Sequence, residues 1–138
     1  MPQLYQTTAS LRIFGDDLEP DEVTALLGAS PTHAVRRGDL RSTRPETRPA
    51  RAGSWRLQSG YAKPGDLDVQ IHDLLALTTD EPAVWKTIHE RYQADLFCGL
   101  FMQTGNDGLS LKPETLVAIV SRGLELQLDI YDPTADED

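Results

Sequence analysis

The chain has 138 residues and a mass of 15.3 kDa, the size of one domain with one core, and its 39% hydrophobic and 25% charged residues exclude a disordered, collagen-like or coiled-coil chain. No apolar run reaches the roughly 20 residues that span a bilayer, and residues 1–20 lack a basic start followed by an apolar stretch, so a cytoplasmic protein without a membrane partner is expected. Thirteen Lys and Arg against 22 Asp and Glu leave a net charge of −9, which disfavours nucleic acid as a partner of the whole molecule.

Residues 9–14 alternate polar and apolar, with Leu11 and Ile13 on one face, the period of a half-buried strand. Gly15-Asp16-Asp17 turns the chain into a helix opening at Pro20, with Asp21 and Glu22 at the positive end of its dipole. Val23, Leu26 and Leu27 form its apolar stripe and Gly28 its stop. Between Ala29 and Gly53, Pro31, Pro45, Pro49 and Gly38 leave room only for a short edge strand near His33–Arg37, then an arginine-rich loop over about residues 38–52. Ser54–Ser59 alternates again, with Trp55 and Leu57 together, and suits pairing with the His33 region as a long-looped hairpin. Gly60–Gly65 supplies turn chemistry.

Leu67, Ile71, Leu74 and Leu75 stand at helical spacing, as do Trp85, Ile88, His89 and Tyr92. Thr78–Pro82 between them predicts two helices, or one kinked helix, covering one face of the sheet. Leu96–Gln103 is almost continuously apolar, a strand expected to be central and buried on both faces. After the turn residues Thr104–Gly108, the segment Leu109–Leu111 is expected to fold back as a hairpin. A last helix, Pro113–Arg122, would turn Leu116, Ile119 and Val120 inward and stop at Gly123. Leu124–Ile130 is the clearest amphipathic strand, and an acidic tail occupies 132–138. The order predicts a single α+β domain with its core over about residues 8–132. Its architecture is a mixed, largely antiparallel sheet of five to six strands with helices against it: a ferredoxin-like βαββαβ unit extended by a further helix and strand.

The segments Leu18–Leu27 and Leu111–Val120 echo each other, with Pro20 matching Pro113 and a Gly closing each helix. Either a β-α unit is duplicated, or two capped amphipathic helices have converged on one pattern. Cys98, the only cysteine, lies in the most apolar strand, where burial removes the thiolate, so a core role is expected. His33, His72 and His89 are isolated, with no metal-ligand spacing around them. Asp16, Asp17, Glu19, Asp21 and Glu22 have the oxygen density of a cation site without the spacing of a calcium loop. No nucleotide-binding or nucleophile motif occurs, so no catalytic residue, metal or cofactor is assigned.

Charge is unevenly spread. Seven arginines and two acids lie between His33 and Arg56, so the rest of the chain carries −14. An acidic body favours encounter with a basic partner, whereas Arg36, Arg37 and Arg41 suit a phosphate or carboxylate. Trp55 and Tyr61 offer aromatic anchors, although Trp55 on an alternating strand equally suits the core.

The blocks Leu11–Val23, Pro31-Thr32 with Arg37–Asp39, Gly53–Leu57, Asp95–Phe101 and Gly108–Tyr131 resemble the bacterial family called domain of unknown function 4279, over about residues 8–132. The resemblance implies no catalytic residues; it implies small bacterial domains, some of them similar to immunity proteins encoded beside secreted toxins. An immunity-type protein, monomeric or in a heterodimer, would occlude the basic C-terminal domain of a toxin with Asp16, Asp17, Glu19, Asp21, Glu22, Trp55 or Tyr61. A regulatory module holding an anionic ligand through the Arg36–Arg56 segment is the alternative, and an enzyme with an unrecognised site is a third class.

Overall fold

The computed structural model describes residues 3–39 and 49–132. The chain runs β1 (Gln6–Gly15), α1 (Pro20–Leu27), β2 (His33–Val35), β3 (Gly53–Ala62), α2 (Leu67–Ala76), α3 (Pro82–Arg91), β4 (Gln93–Phe101), α4 (Pro113–Ser121) and β5 (Glu125–Tyr131). The strands form one sheet in the order β2-β3-β1-β4-β5. β1 pairs antiparallel with β3 and β4, β2 antiparallel with β3, and β5 parallel with β4. Strands β4-β1-β3-β2, with α1 in one crossover and α2–α3 in the other, are a ferredoxin-like βαββαβ unit; α4 and β5 extend it at the β4 edge.

Alternation decides which face carries the helices. Ala9, Leu11 and Ile13 of β1, Trp55 of β3, and Leu96 and Cys98 of β4 are fully buried in one cluster with Val23, Leu27, Ile71, Leu75 and Ile88 of the helices. Gly28 caps α1 in the left-handed region at φ 71°, its N–H donating to the carbonyl of Thr24. Gly15 and Gly53 face each other across β1 and β3. A Cβ at Gly15 would fall 2.7 Å from Tyr92 Cδ1, and one at Gly53 would fall 2.9 Å from Leu18 Cβ, so neither site has room for a side chain.

Four expectations are corrected. β4 lies beside the central strand β1, and its Leu96, Cys98 and Leu100 side is buried whereas Phe97 and Phe101 on the other side are only half-buried, because no helix among the described residues covers that face. β3 continues through Gly60 to Ala62 where a turn was expected. Leu109–Leu111 does not fold back as a hairpin: Gly108 bridges to Gln3, and the Lys112 N–H donates to the Asp68 carboxylate at 2.7 Å, steering the chain towards α2. In α4 the inward stripe is Thr115, Ala118, Ile119 and Arg122, so Leu116 and Val120 are 45% and 74% exposed. Arginine holds an inward position there, a substitution that apolar periodicity cannot register. The matching residues of α1, Val23 and Leu27, are buried, so the two echoing helices do not use equivalent faces.

The arginine-rich loop and the acidic tail lie largely outside the described residues. Among the described residues no helix is long and apolar enough to cross a membrane.

Candidate functional site

The helix-free face of the sheet is built from the even residues of β1 and their cross-strand partners. One row runs His33, Arg56, Arg12, Asp95, Glu125 across all five strands. At its centre Arg12 Nε and Nη2 donate to Asp95 Oδ1 and Oδ2, both at 2.8 Å, and Gln127 Nε2 donates to Asp95 Oδ2 at 3.1 Å. This two-pronged pair is largely shielded from water, with side chains 19% and 14% exposed. The Arg12 guanidinium lies 4.3 Å from the Phe97 ring centre and 5.3 Å from that of Phe14, and Arg56 approaches Phe14 at 5.4 Å. Phe14 is thus flanked by two guanidinium groups.

Beside Phe14 a groove of about 600 Å³ opens between the β2–β3 edge and Arg51–Ala52. Phe14 and Val35 supply its apolar wall, and Arg51, Arg56 and His33 its cations and imidazole, with no carboxylate among the described residues of the lining. A site of this composition can hold an anionic group against an apolar or flat surface. At the far end of the same face Phe101 stacks on Tyr131 at 4.5 Å and meets Tyr61 at 6.2 Å.

The acidic and basic residues singled out in the sequence come together at one place. Asp16, Asp17, Glu19, Arg36 and Arg37 line a single shallow depression of about 290 Å³. Arg36 Nε donates to Glu19 Oε2 at 2.7 Å, and this contact with Glu19 raises the Arg36 pKa. Arg91 engages Glu22 through both carboxylate oxygens, holding Glu22 below the ordinary carboxylate value. Asp16, Asp17 and Asp21 are exposed and make no ion pair among the described residues. Arg41 lies outside the described residues. Tyr61 is 69% exposed, as a contact residue requires. Trp55 is corrected: it is fully buried, its indole N–H donating to Thr24 Oγ1 at 3.0 Å, and it offers no surface to a partner.

Among the described residues no group of three or more His, Cys, Asp or Glu is placed to hold a metal ion. His89 Nε2–H donates to the carbonyl of Arg122 at 2.8 Å, while His72 lies exposed beside Asp73. Cys98 is fully buried, and burial pushes its thiol up to about 12. Its thiolate population near neutral pH is therefore about a thousand-fold below that of an ordinary cysteine. Iodoacetamide at pH 8 is expected to leave the native protein unlabelled over an hour and to label it fully in guanidinium. Native labelling at the rate of free cysteine would show that β4 opens readily.

Sequence reasoning missed the groove and the Arg12–Asp95 pair. Alternation places Arg12 and Phe14 on the solvent side of β1, which was a usable signal, but their partners lie on β3 and β4.

A model of the family described as Domain of unknown function (DUF4279) matches residues 5–133. No curated protein and no solved structure matches the chain.

Proposed function

The chain belongs to the DUF4279 family, whose description assigns no activity, and from that premise we propose that it works by binding, holding an anionic group of its partner in the groove of Arg51, Arg56 and His33. The observation that carries this reading is a groove with two guanidinium groups and an imidazole, no carboxylate among the described residues that line it, and Phe14 as a flat wall, in a chain of net charge −9. It places the anion site, within the arginine segment, at Arg51 and Arg56, which line the groove.

Citrate serves as the probe. At concentrations well above its Kd it is expected to raise the unfolding midpoint relative to sodium chloride of equal ionic strength, about 2.7 kcal/mol at a hundred times Kd. Arg51→Ala should abolish that stabilisation and Arg36→Ala should preserve it. The reverse pattern, or no difference from chloride, would refute the assignment.

A second reading, an immunity-type protein that occludes a basic toxin domain, is favoured by Asp16, Asp17 and Asp21, three exposed carboxylates on and beside the β1–α1 turn. Steering by such a patch is weakened by salt. Under this reading Asp16→Lys together with Asp17→Lys lowers the association rate for a basic partner and leaves citrate stabilisation intact.

A further inference from the structure

We propose that two copies of the chain pair through their β5 strands, antiparallel about a two-fold axis at Leu128, to form one continuous ten-stranded sheet. The inference is independent of the groove, which lies at the opposite end of the sheet.

The two sheet edges are guarded unequally. β2 is three residues long, and the chain beyond it turns back through reciprocal hydrogen bonds of Gly38 and Asp39 with Ala50. β5 is seven residues long, contains no proline, lysine or bulge, and has no strand on its outer side among the described residues. Such an edge is a template for another strand. Its backbone direction is fixed by one contact: the Tyr131 carbonyl accepts from Met102 N–H at 3.1 Å, so the Tyr131 backbone faces β4. With a period of two, the N–H and C=O groups of Leu126, Leu128 and Ile130 point outward from the edge.

Helix cover also stops short of β5. Leu128 and Ile130 share the helix side with Cys98 and Leu100, yet are 46% and 58% exposed. A strand joined at this edge would extend that apolar surface.

Charge arithmetic names the occupant and its register. With Leu128 opposite its own copy, Leu126 meets Ile130, Gln127 meets Asp129, and Glu125 meets Tyr131; apolar residues stay on the helix side and no like charges face each other. The three outward pairs (Leu126 with Ile130, Leu128 with itself, Ile130 with Leu126) each exchange two hydrogen bonds. A register centred on Asp129 sets two aspartates face to face, and one centred on Gln127 sets Glu125 against Asp129. Registers centred on Leu126 or Ile130 pair only three residues of β5, so among those that pair five or more, only the Leu128 register sets no like charges directly opposite, and the segment is complementary to itself.

Sedimentation or light scattering of the full chain is expected to give twice the 15.3 kDa of one chain at micromolar concentration, falling to one chain in Leu128→Lys, which sets two ammonium groups beside each other on the axis. Leu128→Cys, made together with Cys98→Ala to remove the thiol paired with residue 128 in the same chain, tests the register without loss of apolar character. Cα atoms of a hydrogen-bonded antiparallel pair lie about 5.5 Å apart, within disulfide reach, whereas residues 126 of the two copies are offset by roughly 13 Å. Mild oxidation should cross-link Leu128→Cys nearly completely, neither Leu126→Cys nor Ile130→Cys alone, and a mixture of those two. A monomer at millimolar concentration, or equal cross-linking of Leu126→Cys and Leu128→Cys, would overturn the proposal.

Discussion

Trp55→Ala is expected to lower the unfolding midpoint by roughly 10–20 °C, the largest effect of any single truncation in β3. Trp55 is fully buried between the sheet and α1, so its loss removes a large aromatic surface from the core and leaves a cavity. Truncations of this kind cost about 3–5 kcal/mol, against total stabilities of about 5–15 kcal/mol for a domain. The indole N–H also satisfies Thr24 Oγ1, which ties α1 to β3. Thr24→Val should therefore cost about 1–3 kcal/mol on its own, by leaving a buried donor without a partner. Thermal unfolding followed by circular dichroism checks both. If Trp55→Ala instead kept its midpoint and weakened partner binding, the residue would be an anchor and its burial would be misassigned.

Arg122→Ala is expected to destabilise by about 2–4 kcal/mol, unusually large for an arginine. The residue is only 7% exposed, and its guanidinium donates to Thr78 Oγ1, the Ala118 carbonyl and the Leu75 carbonyl, each at 3.1 Å. It also lies 6.0 Å from the Trp85 ring centre. One planar fork thus joins the end of α2 to α4, and burial lowers the Arg122 pKa with a small opposing pull from Asp80. Lysine keeps the charge but cannot reach three acceptors in one plane, so Arg122→Lys should recover less than half of the loss. Chemical denaturation of the three proteins decides the matter. Full recovery in Arg122→Lys would mean that charge alone matters.

These residues also mark where sequence reading stops. Leu11 and Ile13, Trp55 and Leu57, and the Pro20–Gly28 helix were legible because period and punctuation are local signals, and the βαββαβ order followed from them. The inward stripe of α4 was not, because Arg122 occupies a position that apolar counting assigns to solvent. The site was less legible still. Arg12 and Asp95 are 83 residues apart, and only the register of β1 against β4 brings their side chains together. Acidic and basic segments that composition presents as rival surfaces meet through Arg36 and Glu19 because β2 returns beside the start of α1.

The placement of α4 and β5 outside a complete βαββαβ unit has a consequence in time. A ribosome delivers β4 at Phe101 and reaches Tyr131 only a few seconds later, at about 5–20 residues per second. Every strand of the four-stranded unit is therefore synthesised before β5, the strand that pairs with the free side of β4. The last helix and strand thus move the edge of the single chain's sheet from β4, with its apolar Leu96–Met102 run, to β5, which carries Glu125 and Asp129.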